Sequence, residues 1–420
     1  MPRLFVDVRP LRVNRAFRWL FVGQFVSLLG SNLTIVAVPY QVYRETHSSL
    51  WVGLASVIQL PFLIAGSLWG GALGDRGDRR VLLVVSTMMT SALSGGLAFN
   101  AATHHAHLAV VVLLAAVSAG AGGFAGSVRT AVIPLIVAPD QLVAAYSLNQ
   151  VIFNVGMALG PALAGILLAG VGLAWCYGID AVTYVVLTLS TLVLPVMRAA
   201  RPEAPTALWR AITDGFGYVR RHALAQAVYL VDLNAMVFGL PRALFPAVAL
   251  TLDHGGPRLL GLLYSAPGVG AVVMALLTGW VARVRRQGRL VVLVVVAWGA
   301  AMALFGLVHV IAIGLVCLAV AGAADVVSAI LRNTILQRAI TDDFRGRVSS
   351  IQQIVVTGGP RLGDMESGAV ASLTSVEFSI VSGGIACVVG ALALIRWRPG
   401  FWRTDLLSPE SPTANGDDPA

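Results

Sequence analysis

The sequence predicts an all-α membrane protein, with twelve transmembrane helices in two pseudo-symmetric six-helix halves. Three observations predict it. Of 420 residues, 57% are hydrophobic and only 12% charged, with a mean hydropathy of +0.82, whereas soluble domains carry about 25% charge. The apolar residues form continuous runs of about 20–25 residues, long enough to cross a bilayer as helices, and they do not alternate as barrel strands would. Loop patterns of the first half recur in the second.

Taken in order, the expected spans are Trp19 to Tyr43, Leu50 to Leu73, Val81 to Ala101, His107 to Val137, Ala145 to Gly170 and Leu173 to Val196. The fourth exceeds what a bilayer needs, so its inner end is expected to extend past the lipid. A compositional break follows over Met197 to His222, rich in arginine, with Ala207, Leu208, Ile212, Phe216, Tyr218 and Val219 at roughly helical spacing. That pattern predicts an amphipathic linker helix on the inner face. The second six spans are Ala223 to Leu250, Leu259 to Val281, Leu290 to Val308, Val310 to Leu336, Val348 to Leu373 and Phe378 to Ile395. The chain thus divides into an N-terminal half (1–197), a linker (198–222), a C-terminal half (223–398) and a polar, Pro-rich tail (399–420) expected to be disordered. The basic start precedes a run too long for a signal-peptide core and is taken as a retained first span.

The net charge of +9 is carried by arginine, since the chain has no lysine. In a membrane protein this points to anionic lipid and topology rather than to nucleic acid. Arginines crowd the loops after spans 2, 6, 8 and 10 and both termini, which the positive-inside rule places in the cytoplasm of a bacterial inner membrane. No Walker-type phosphate loop is possible without lysine. Cys176, Cys317 and Cys387 are far apart and show no metal spacing. No cofactor, metal or catalytic set is expected, and the chain is read as a monomer. With no ATP site, an ion gradient is the available energy source, and protons are favoured by the carboxylates inside spans.

The repeat has two parts. Gly71 to Arg80 has its counterpart in Gly279 to Arg289, and Asp140-x6-Ser147-x2-Gln150 in Asp342-x6-Ser349-x2-Gln352. Two repeated six-span halves place a substrate site between them near mid-membrane.

Polar groups inside apolar runs are the candidates for that site, because burying them unpaired costs several kcal/mol. Asp232 and Asn234 lie about ten residues into span 7. Asp232 is either a titrating substrate- or proton-binding carboxylate or is paired with Arg242 or another helix. Arg361 and Asp364 stand i, i+3 in span 11 after Gly358-Gly359-Pro360, as a local pair or a relay. Asn32 and Asn154 could line a cavity or bond between helices. Arg129 and Arg332, about ten residues before Asp140 and Asp342, are a symmetric pair suited to an inner gate, with Asp75 and Asp78 as possible acidic partners, or to lipid phosphate. Asp180 and Asp325 rank as structural acids.

The loop pattern Gly71-x-Leu73-x-Asp75-Arg76-x-Asp78-Arg79-Arg80 resembles the signature between helices 2 and 3 of the major facilitator superfamily. Gly156-x3-Gly160-Pro161-x3-Gly165 resembles the span 5 motif of its antiporters, although Ser147 stands where an earlier glycine is usual. Leu28 to Asn32, Ala37 to Tyr43 and Pro139 to Leu142 are similar to the enterobactin-exporter branch and to Tap-type drug efflux pumps. The resemblance implies a gating role for the 71–80 loop and proton-coupled export of siderophores or amphipathic drugs by alternating access. The branch often has an acid after the span 1 glycine; here Ser31-Asn32 stands there, which moves any coupling acid elsewhere, to Asp232 or Asp364. Import, lipid flipping and a non-transporting receptor are the alternatives; a membrane enzyme is disfavoured by the absence of a nucleophile–base pair.

Overall fold

The computed structural model describes residues 7–103, 107–197, 216–251, 255–339 and 345–403. Among them it is helical, with no strand. Helices α1 (Arg9–Val13), α2 (Arg15–Thr46), α3 (Ser49–Gly74), α4 (Arg79–Ala102), α5 (Leu108–Ile136), α6 (Leu142–Gly170) and α7 (Leu173–Leu192) come first. Then follow α8 (Ala223–Phe238), α9 (Phe245–Thr251), α10 (Pro257–Leu277), α11 (Gln287–Leu307), α12 (Ile311–Ala339), α13 (Arg345–Leu373), α14 (Val376–Trp397) and α15 (Pro399–Trp402).

Eleven helical segments are long and apolar enough to cross a bilayer. Helix α13 has 29 residues, ample length for a span, and carries Arg361, Asp364 and Glu366 within it. With it the expected twelve spans are present. The span survives its charges in part because Asp364 accepts the Ala243 N–H and Arg361 donates to the Thr357 carbonyl.

Chain contacts divide the molecule into two compact units, Met1–Ala204 with Phe245–Ser265, and Pro205–Leu244 with Ala266–Ala420. In the first, α2 packs on α6 and α7, α3 on α5, and α4 on α7. The start of α2 is set by Asn14, whose side chain accepts from the Phe17 N–H at 2.9 Å. Helices α3 and α5 approach so closely that Cβ atoms on Gly66 and Gly70 would strike the backbone of Gly120 and Phe124. Small residues permit this approach, and in lipid such packing replaces the missing hydrophobic drive between helices. The second unit repeats the device: Gly270 of α10 abuts the Ala319 carbonyl of α12, and Gly322 abuts that of Pro267.

Span 7 departs from the sequence expectation of one continuous helix. It stops at Phe238, passes through Gly239-Leu240-Pro241 and a single 3-10 turn at 242–244, and resumes at Phe245. Pro241 has no N–H and disfavours helical geometry in the residue before it. Backbone groups freed at membrane depth need partners. The indole of Trp298 donates to the Gly239 carbonyl, and the Ala243 N–H donates to Asp364 at 3.0 Å.

The expected amphipathic linker helix falls mostly on residues 198–215, outside the described residues. Of the tail, Pro399–Trp402 is helical rather than disordered, with Phe401 buried. The remainder, 404–420, lies outside the described residues.

Candidate functional site

The signature loop is a staple within the first unit. Helix α3 ends at Gly74, and the N–H groups of Arg76 and Gly77 fold back onto the Leu73 carbonyl. Asp78 caps α4 by accepting from the Arg80 N–H at 2.9 Å, and accepts also from the Met197 N–H at 3.3 Å. Arg79 does most of the cross-linking. Its Nε donates to the Gly74 carbonyl at 2.9 Å and its Nη1 to the Ala131 carbonyl of α5 at 3.1 Å. Its Nη2 lies 3.8 Å from Asp75 Oδ1, and its N–H donates to the Met197 carbonyl at 3.1 Å. Arg80 donates to the Leu192 carbonyl at the end of α7. One arginine thus satisfies carbonyls at the C-terminal ends of two helices, where cations are favoured by the helix dipole. The Arg76 side chain is exposed and makes no hydrogen bond or ion pair among the described residues.

This ordering sets a prediction. Arg79→Ala is expected to lower transport more than Arg76→Ala, with both variants still inserted. Comparing membrane abundance with substrate efflux from cells checks it; equal efflux in the two would remove the staple from the mechanism.

The span 5 motif presents glycines to two neighbours. Gly156 and Gly160 lie against Leu28 and Asn32 of α2, while a Cβ on Gly165 would come within 2.6 Å of the Pro257 carbonyl and 2.8 Å of Gly261 Cα in α10. Asn32 is buried and turns its amide back to the Leu28 carbonyl at 2.8 Å. Asn154 accepts from Gln150 at 3.1 Å on its own helix.

The second unit gathers three acids and three arginines. Arg332 of α12 and Asp232 of α8 are 4% and 3% exposed. Arg332 Nη2 stands 2.9 Å from Asp232 Oδ1 and 3.8 Å from Asp325 Oδ1, and its Nη1 donates to Ser328 at 3.0 Å. The Asp232 contact is an ion pair rather than an aligned hydrogen bond, since Oδ1 has no hydrogen-bond partner. Arg242, at the break in span 7, lies within Coulomb range of Asp325 and Arg361. Arg361 is in turn near Asp364 and donates to the Thr357 carbonyl at 3.1 Å. Asn234 donates to the Cys387 carbonyl of α14 at 2.8 Å.

Of the residues singled out from the sequence, the structure brings Asp232, Arg332, Arg361 and Asp364 into one network and joins Asp325 and Arg242 to it. Within its unit Arg332 faces Asp232 and Asp325; Asp75 and Asp78 belong to the loop staple. Its symmetry counterpart Arg129, in the first unit, makes no hydrogen bond or ion pair among the described residues and has Tyr184 as its electrostatic neighbour. Trp298 was missed by sequence reasoning, and no signal short of the Pro241 break could have found it. Among the described residues no cluster of His, Cys, Asp or Glu could hold a metal ion.

Known proteins are similar to this chain in sequence or in architecture. Residues 7–413 match the family described as transmembrane secretion effector, MFS_3. The enterobactin exporter EntS of Citrobacter koseri is 28% identical over 386 residues, covering 92% of this chain and 92% of that protein. EntS of Salmonella typhimurium is likewise 28% identical over 386 residues, covering 92% and 93%. Among solved structures, a peptide transporter POT superposes with a TM-score of 0.75 at 13% identity over 93% of this chain and 95% of that one. The nucleoside transporter NupG does so with 0.73 at 14% over 91% and 98%. At such identities the structural likeness speaks for the fold alone, while the family match spans nearly the whole sequence. The chain belongs to the transmembrane secretion effector family of major facilitator transporters.

Proposed function

We propose that this protein exports an amphipathic small molecule of siderophore or drug type across the bacterial inner membrane, driven by proton entry and working by alternating access. The observation that carries the substrate class is the full-length similarity to proteins named enterobactin exporters. Direction is supported by the same relatives and by the span 5 glycines, which the close approach of Gly165 to Gly261 puts to use. Both termini and the 71–80 loop face the cytoplasm in this reading, which rests on the arginine bias.

The 71–80 staple serves gating by holding α3, α4, α5 and α7 as one body. Substrate and proton binding fall to Asn32, Asn154, Asp232, Asn234, Arg361 and Asp364. Arg129 is the inner-gate residue whose guanidinium has no ion-pair partner among the described residues, whereas Arg332 acts through Asp232. A buried ion pair is readily rearranged by a competing charge, because each member loses much of its compensation when the other leaves.

The test uses proteoliposomes containing the full chain and loaded with enterobactin. An imposed proton gradient is expected to drive enterobactin across the membrane against its concentration. Movement that ignores the gradient in either orientation would overturn proton coupling. Asp232→Asn is expected to weaken enterobactin binding; unchanged binding would take Asp232 off the substrate path.

A further inference from the structure

We infer that Asp180 of α7, a residue whose sequence context suggests only a structural acid, is a proton-carrying carboxyl of the first unit. The inference rests on the proton-coupled reading above and adds a proton site in the first unit to the residues named there.

Asp180 is 2% exposed. Its Oδ2 accepts from Thr34 Oγ1 of α2 at 2.7 Å and from Ser94 Oγ of α4 at 2.8 Å. Its Oδ1 is buried and has no hydrogen-bond partner. No arginine or histidine forms an ion pair with it among the described residues. The acids of the second unit are provided for differently. Asp232 faces Arg332 at 2.9 Å, and Asp364 accepts a backbone N–H.

The difference decides what each group can do. An ionised carboxylate in an apolar interior loses several kcal/mol of hydration, which a facing cation can return. Two hydroxyl donors return about 1.5–3 kcal/mol each at most. Asp180 is therefore held neutral while its surroundings are dry and ionises when water reaches it. That is the behaviour a carrier needs: proton affinity set by access rather than by a fixed counter-charge.

The oxygen without a hydrogen-bond partner has polar groups of two helices near it. A Cβ on Gly30 would come 3.0 Å from Oδ1 and closer still to Thr183, so glycine lets α2 pack its backbone directly against the acid. One turn along α7, Tyr184 OH and Ser31 Oγ lie 2.9 Å apart, and Tyr184 is electrostatically near both Asp180 and Arg129. A hydroxyl pair and a cation without an ion-pair partner thus lead away from the acid. The other titratable or charged groups on the packed helices are Tyr177 of α7, Tyr146 of α6, and residues at helix ends. Those are Arg15, Arg18, Tyr40, Tyr43, Arg44 and Glu45 of α2, with Arg79 and Arg80 of α4. None of them ion-pairs with Asp180.

The experiment compares wild type with Asp180→Asn, a near-isosteric change that still accepts from Thr34 and Ser94. Both proteins are reconstituted full length, with enterobactin as the probe. Infrared spectra of wild type are expected to show a carboxylic-acid carbonyl band that shifts in D2O and is missing from the variant. The variant is expected to lose gradient-driven transport of enterobactin while keeping downhill exchange. A wild type indifferent to the gradient would defeat the coupling reading itself. A wild type that responds, beside a variant that responds equally or keeps the band, would defeat the assignment to Asp180. Should Asp180→Asn not fold, Ser94→Ala leaves the acid and removes one donor. Its transport profile is expected to move to higher pH, since a carboxylate with fewer hydrogen bonds holds its proton more tightly; an unmoved profile overturns the inference.

Discussion

Arg332→Met is expected to unfold at a markedly lower temperature than the parent and to lose transport. The substitution keeps apolar bulk but strands Asp232, which is 3% exposed, without its cation at 2.9 Å. Removing one partner of a buried pair costs about 3–5 kcal/mol, because the remaining charge is uncompensated. The reverse loss is milder. Asp232→Asn leaves Arg332 beside Asp325 at 3.8 Å and Ser328 at 3.0 Å. The double variant Arg332→Met with Asp232→Asn is expected to recover most of the stability while transport stays low. Thermal unfolding of the three variants in detergent, set beside efflux in proteoliposomes, separates the two effects. A single Arg332→Met that melts with the parent would show that the pair holds nothing together.

Gly66→Leu is expected to have the second largest effect, a collapse in yield of folded protein. Its side chain would have to occupy the Gly120 carbonyl across the α3–α5 crossing. Overpacking of a tight site costs about 1–3 kcal/mol and sometimes more, and here backbone, not a flexible side chain, must yield. Gly122→Leu is the control on α5: nothing lies within 4 Å of its added Cβ. Fluorescence-detected size exclusion of the two variants checks the contrast, and similar profiles would mean that the helices can simply part.

The architecture was legible because a bilayer imposes so blunt a rule. Long apolar runs bounded by arginine locate helices, and an offset shared by 78 and 286, each immediately before a helix, exposes the repeat. Span 11 was readable despite three charges because its neighbours in sequence kept the count even. The break in span 7 was not, since Pro241-Arg242 sits in a run otherwise apolar enough to continue. Pairings were harder still. Asp232 and Arg332 are a hundred positions apart, and nothing local in either helix names the other. Asp180 reads from sequence like any lone acid; its lack of a counter-charge is a property of three helices at once. Arg79 and Arg76 look interchangeable in the motif, and only the ends of α3 and α5 distinguish them.

The segment after the last span has a practical bearing. Phe401 is 3% exposed, Arg289 stacks 5.4 Å from the Trp402 ring, and Arg398 donates to Gln226 at 2.7 Å. A truncation made for crystallisation, or a fluorescent fusion joined to the carboxyl end, should keep Arg403. Cutting back to Trp397 would peel a small aromatic clasp off the base of α11 and leave a greasy scar in its place.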